Sequence, residues 1–145
     1  MLRYTLVLAA GLWAAGTSSA GTWADGLFEE LSKDFGCVLM VSEAVLAGAG
    51  VDAAGVDAAA RSVIEEAGMG ERFAHGLGHG VGLEIHEDPF LHRSSQEVLP
   101  AGAVVTIEPG VYVPGLGGVR IEDMVEVRED GRRALPRSSK ELIVT

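Results

Sequence analysis

The sequence predicts an α+β fold, on three observations. Apolar residues recur at intervals of three and four through the first half of the chain, which is the stripe of amphipathic helices. After Gly70 the texture changes to short apolar runs separated by Gly and Pro, the mark of strands and turns. With 48% hydrophobic and 22% charged residues in 145, the chain has enough apolar content for one globular core and too little length for two.

The first twenty-five residues read in two ways. Arg3, an apolar run from Leu6 to Ala15 and the small residues Ser18, Ser19 and Ala20 have the pattern of a secretory leader. The same residues also suit a hairpin, with Tyr4 to Leu8 as a β-prone run, Gly11 to Gly16 as its turn and a return through Trp23. The run is too short, and too interrupted by glycine, for a membrane span.

A first helix is expected from Leu27, with Leu27, Phe28, Leu31, Phe35, Val38, Leu39, Val45 and Leu46 as its stripe and Gly48 and Gly50 as its end. A second is expected from Ala53 to Ala67, capped by Asp52, with Val56, Ala60, Val63, Ile64 and Ala67 buried and Gly68 and Gly70 as its stop. Gly36 and Gly55 weaken these helices by about 1 kcal/mol each relative to Ala. Strands are expected at Gly80 to Ile85, Ala103 to Ile107, Gly110 to Val113, Val119 to Val127 and Leu142 to Val144, forming a mainly antiparallel sheet.

Eleven basic residues against twenty-one acidic ones give a net charge of -10, which repels a phosphate backbone. The only basic cluster, Arg132, Arg133 and Arg137, is small, so no nucleic-acid partner is expected. The single cysteine, Cys37, forms no intrachain disulfide and sits among Phe35, Val38 and Leu39, where it reads as a small core residue rather than a nucleophile.

Chemistry concentrates in three segments. In the run His75-Gly76-Leu77-Gly78-His79-Gly80-Val81-Gly82-Leu83-Glu84-Ile85-His86-Glu87 stand three of the chain's four histidines. The interleaved glycines let backbone approach a ligand or another strand closely. A lone histidine is usually structural, whereas three in such a segment point to a metal or catalytic site. In Thr106-Ile107-Glu108-Pro109-Gly110 and Val119-Arg120-Ile121-Glu122-Asp123 a carboxylate follows an apolar, strand-like residue, and a charge there must be paired or metal-bound. For Glu108 alone, an ion pair with Arg120 is the plain alternative.

In this order and spacing the three segments resemble the pita-bread metallopeptidases, which include Xaa-Pro aminopeptidases, prolidases and methionine aminopeptidases. The resemblance covers residues 4–145, the later part of a catalytic domain. It implies that His79, Glu108 and Glu122 are metal ligands. It also implies that His75, His86 and Arg120 are catalytic residues beside the substrate, where His75 and His86 steady an intermediate or move protons. A water made acidic by divalent cations attacks the peptide bond in that chemistry. His75 four residues before the ligand, the Glu-Pro-Gly-Val-Tyr run and Arg120 two before Glu122 resemble the proline-directed branch, so the implied substrate is a peptide with proline in second position, with free dipeptides also open.

The family carries two further aspartate ligands on an earlier hairpin, and in this register Ala9 and Ala20 occupy those positions. Asp25, in a turn-like setting, is a weak substitute. Two divalent ions need more negative charge than Glu108 and Glu122 supply, so one weakly held ion is expected. Manganese or cobalt comes first, with zinc or iron also compatible with mixed His and carboxylate ligands. Impaired hydrolysis follows, and the alternative is a non-catalytic module that binds a peptide or protein through the old cleft. A partial fold leaves apolar surface uncovered, from which a homo-oligomer is expected. The expected location is cytoplasmic, or secreted if residues 1–20 are a leader.

Overall fold

The computed structural model of the chain describes residues 48–115 and 117–135. The expected hairpin with Ala9, Ala20 and Asp25, the first helix with Cys37, and the strand at Leu142 to Val144 lie outside the described residues.

Helix α1 spans Ala53–Glu66. Asp52, in extended conformation, accepts from the Gly55 N–H at 3.0 Å, which is the N-cap expected of it. The helix ends in a Schellman turn: Met69 N–H donates to Ile64 O, Gly68 N–H donates to Glu65 O, and Gly68 takes φ +78°. Its buried face is Ala53, Val56, Asp57, Ala60, Arg61 and Ile64. Val63 is only half-buried and Ala67 is exposed, because the stripe turns onto the side that carries Asp57 and Arg61.

Beyond a 3₁₀ turn at Gly70–Arg72 come seven strands among the described residues: β1 (Gly78–Gly80), β2 (Glu87–Leu91), β3 (Val104–Ile107), β4 (Gly110–Val113), β5 (Gly117–Arg120), β6 (Asp123–Arg128) and β7 (Gly131–Ala134). Five form an antiparallel sheet in the order β2-β1-β3-β6-β7, and β4 and β5 form a separate ribbon. Along β6, Asp123, Val125 and Val127 are buried in strict alternation, as a sheet with one covered face requires. The core joins Val56, Ala60 and Ile64 of the helix to Phe73, Leu77, Leu91, Val105, Ile107 and Val125.

Four details depart from the sequence expectation. The run Gly80 to Ile85 is a loop after Gly80, with Leu83 and Ile85 fully or largely exposed. It is held by Gly82 N–H to Glu84 O (3.2 Å) and Glu84 N–H to the Glu87 carboxylate (3.1 Å). The strand comes later, at β2, where Pro89 is tolerated because β2 is a sheet edge. The run Val119 to Val127 is two strands in two different sheets, broken at Ile121 and Glu122. Finally β7, built from Gly-Arg-Arg-Ala, carries no apolar run and pairs with β6 through the backbone ladder and a cross-strand ion pair, Arg133 Nε to Glu126 Oε2 at 2.6 Å.

Candidate metal centre

The exchange of chain between the two sheets builds the site. Leaving β3, the chain crosses through Glu108 and Pro109 to β4; leaving β5, it crosses back through Ile121 and Glu122 to β6. The registers Ile107 opposite Asp123 and Gly110 opposite Arg120 set these crossings side by side, and Ile121 N–H donates to Pro109 O at 3.2 Å between them. Glu108 and Glu122 are therefore neighbours although fourteen positions apart in sequence. Arg120 lies between them, with Nε 3.7 Å from Glu108 Oε2 and Nη2 3.9 Å from Glu122 Oε2.

His79 reaches Glu108 from β1. Its backbone N–H donates to Thr106 Oγ1 (3.0 Å), and that hydroxyl donates to Glu108 Oε1 (3.0 Å). The approach of β1 to β3 needs glycine: a Cβ on Gly78 would stand 2.7 Å from the Thr106 carbonyl carbon and closer still to its oxygen. Glu108 N–H donates to Leu77 O at 2.8 Å, locking the same two segments together.

The ring of His79 is oriented as a ligand would be. Its Nδ1 lies 2.9 Å from the Gly80 carbonyl, which only accepts, so Nδ1 carries a proton and Nε2 is the nitrogen turned toward Glu108. This outward N–H to a backbone carbonyl is the usual support of a metal-binding imidazole. Nε2 lies 3.2 Å from Glu108 Oε1, and each group is only about one-eighth exposed. Two acceptors at that distance repel unless the ring is protonated or a cation sits between them. Ligand atoms about 2.0–2.2 Å from one ion stand roughly 3 Å apart, which is the spacing here. The donor chemistry thus fits a divalent cation. Among the described residues, however, no three His, Cys, Asp or Glu side chains are arranged to hold a metal ion, and the Arg120 guanidinium lies between Glu108 and Glu122.

His86, at the exposed end of the loop, lies with its ring 4.3 Å from that of His79. His75 stands apart in an aromatic bracket. Its ring meets Phe73 edge-on at 5.0 Å and Tyr112 at 5.5 Å. Its Nδ1 donates to Gly76 O (2.7 Å), leaving Nε2 to accept from the Tyr112 hydroxyl at 3.2 Å. Sequence reasoning gave no role to Thr106, Tyr112 or the buried pair Asp57 and Arg61. For the pair a signal existed, two opposite charges four apart on the face that also carries Val56 and Ala60.

Comparisons with known proteins agree with this architecture. The model of metallopeptidase family M24 matches residues 14–129, and the chain belongs to that family. The solved structure of a prolidase from Pyrococcus horikoshii superposes with TM-score 0.76 at 43% identity, covering 79% of this chain and 34% of that one. The Xaa-Pro dipeptidase from Bacillus anthracis superposes at 0.77 and 42% identity, covering 91% and 35%. In sequence, the Xaa-Pro dipeptidase of Pyrococcus furiosus is 51% identical over 94 residues, 65% of this chain and 27% of that protein. The fold is therefore part of the pita-bread fold of these enzymes, and the chain spans about a quarter of the length of the curated relatives it matches. No helix among the described residues is long and apolar enough to cross a membrane.

Proposed function

We propose that this chain acts in metal-dependent hydrolysis of Xaa-Pro dipeptides or short peptides with proline in second position, at a centre that holds one divalent ion weakly. The observation that carries this reading is the His79 Nε2 to Glu108 Oε1 contact of 3.2 Å, with the far side of the ring tied to Gly80. His79, Glu108 and Glu122 would hold the ion, manganese or cobalt before zinc or iron. Its chemistry is Lewis acidity toward water and the scissile carbonyl.

The chain's own groups divide the remaining work. His86, exposed and against the His79 ring, takes or returns a proton at the mouth of the site. His75, with both ring nitrogens engaged, holds the Tyr112 hydroxyl in a fixed direction. Arg120 balances the two glutamates and is the cation available to a substrate carboxylate. With Ala9 and Ala20 at the two aspartate positions of the family register, a second ion lacks ligands and turnover is impaired.

The test is hydrolysis of an Xaa-Pro dipeptide and a longer Xaa-Pro peptide with manganese or cobalt added, wild type against His79→Ala. Identical rates in both reject the reading. The double substitution Ala9→Asp and Ala20→Asp is expected to raise activity and metal stoichiometry together.

A second reading, a non-catalytic module that binds a peptide or protein, is favoured by one observation. Arg120 already supplies a positive charge between the two glutamates. Peptide binding that persists in chelator, with no hydrolysis at any metal concentration, would establish it. Self-association of the chain is supported by the exposure of Leu83 and Ile85; a monomer by light scattering would contradict it.

A further inference from the structure

We propose that Asp57 and Arg61 are a positioning pair whose task is to fix His75. Both side chains lie on the inner face of α1, Asp57 fully buried and Arg61 7% exposed. Arg61 donates twice to Asp57, from Nε to Oδ2 at 2.7 Å and from Nη2 to Oδ1 at 3.0 Å. Its remaining N–H groups leave the helix: Nη1 donates to Phe73 O at 2.9 Å and Nη2 to His75 O at 2.6 Å. Asp57 Oδ1 also accepts from Leu77 N–H at 3.0 Å, a donor shared with Leu91 O. The pair thus grips the alternate residues 73, 75 and 77 of the segment that leads into β1.

Charge balance alone does not require this arrangement. Well-packed apolar residues fill such a site with equal or greater stability, so a buried ion pair is weak as a source of stability. What apolar residues cannot do is satisfy the carbonyls of Phe73 and His75, which lie outside any strand. The planar fork of arginine reaches both while keeping its bidentate hold on the carboxylate, a geometry lysine cannot reproduce. The grip continues through rings: the Arg61 guanidinium lies over Phe73 at 4.2 Å, Phe73 packs edge-on against His75, and His75 meets Tyr112. With its carbonyl held on one side and Phe73 on the other, the His75 ring keeps Nδ1–H on Gly76 O and Nε2 toward Tyr112. That this matters for catalysis rests on the reading of His75 given above; that the pair orders the ring does not.

The test therefore reads the ring directly. Nitrogen–proton correlation spectra of the full chain, with His75 assigned by loss of its signals in His75→Gln, are expected to give a single Nδ1–H tautomer in the wild type. Arg61→Lys, which keeps the charge and loses the fork, is expected to replace that signature by averaged tautomers and to abolish the proximity signal between the His75 and Tyr112 rings. The double substitution Asp57→Leu with Arg61→Met keeps the core filled and is expected to do the same. A His75 ring that stays in one tautomer in Arg61→Lys or in the double variant overturns the proposal, as does a wild-type ring that is already averaged. Failure of both variants to fold also counts against it, since the pair would then be a requirement of the fold itself. None of these outcomes depends on hydrolysis, so an inactive chain leaves the result interpretable.

Discussion

Replacing Gly78 by alanine tests how closely the site depends on strand contact. A Cβ there would lie 2.7 Å from the Thr106 carbonyl carbon and 2.9 Å from its Oγ1, against ordinary contacts of about 3.4–4 Å. The obstacle is mostly backbone, so β1 and β3 must separate by roughly 1 Å. That stretches the His79 N–H to Thr106 bond (3.0 Å) and the Glu108 N–H to Leu77 bond (2.8 Å) beyond hydrogen-bonding range. Overpacking of this kind costs about 1–3 kcal/mol, and each weakened bond about 1 kcal/mol. A loss of about 3–5 kcal/mol lowers Tm by about 6–20 °C in a chain of this size. The same shift carries His79 Nε2 away from Glu108, so metal affinity should fall with stability. The assay is thermal melting by circular dichroism beside manganese titration. Gly82→Ala is the control, because there the added Cβ meets the end of the flexible Glu87 side chain, for an expected change below about 1 kcal/mol. A Gly78→Ala melt within about 2 °C of wild type would refute the reasoning.

Other expectations can be measured in parallel. Leu77→Ala removes a fully buried side chain from the segment between His75 and His79 and should destabilise by about 2–5 kcal/mol in chemical denaturation. Asp52→Ala removes the N-cap of α1 and should destabilise by about 1 kcal/mol by the same method. Arg120→Ala removes a charge that competes with a bound ion at Glu108 and Glu122; it should tighten manganese binding several-fold while lowering any peptide hydrolysis. Weaker manganese binding in that variant would mean that Arg120 organises the carboxylates rather than competing for them.

Part of the fold was legible in the sequence, for reasons that particular residues make plain. His79, Glu108 and Glu122 stood out by their strand-like or glycine-rich settings, and the ligand roles proposed for them come from the family resemblance. Asp52 and Gly68 marked the ends of α1 because capping is local chemistry. Apolar runs were poorer guides. Leu83 and Ile85 read as strand and lie exposed on a loop, while Phe90 and Leu91, behind Pro89, belong to an edge strand. The break at Ile121 and Glu122 was invisible because Val119, Ile121, Val125 and Val127 keep one alternation across it, and which sheet each strand joins is decided by partners distant in sequence. Asp57 and Arg61 escaped because a search for apolar spacing passes over charges, although their position within the stripe of Val56, Ala60 and Ile64 requires burial. That Glu108 and Glu122 both lie within reach of Arg120 depends on register, which no local pattern encodes.

The proposal that His79, Glu108 and Glu122 share one cation is tested most directly by calorimetric titration of the purified, chelator-treated chain with manganese. One ion bound per chain is expected, with affinity lost at least ten-fold in His79→Ala and in Glu108→Gln, while both variants remain folded by circular dichroism. No binding in the wild type, or binding unchanged in both variants, would contradict it.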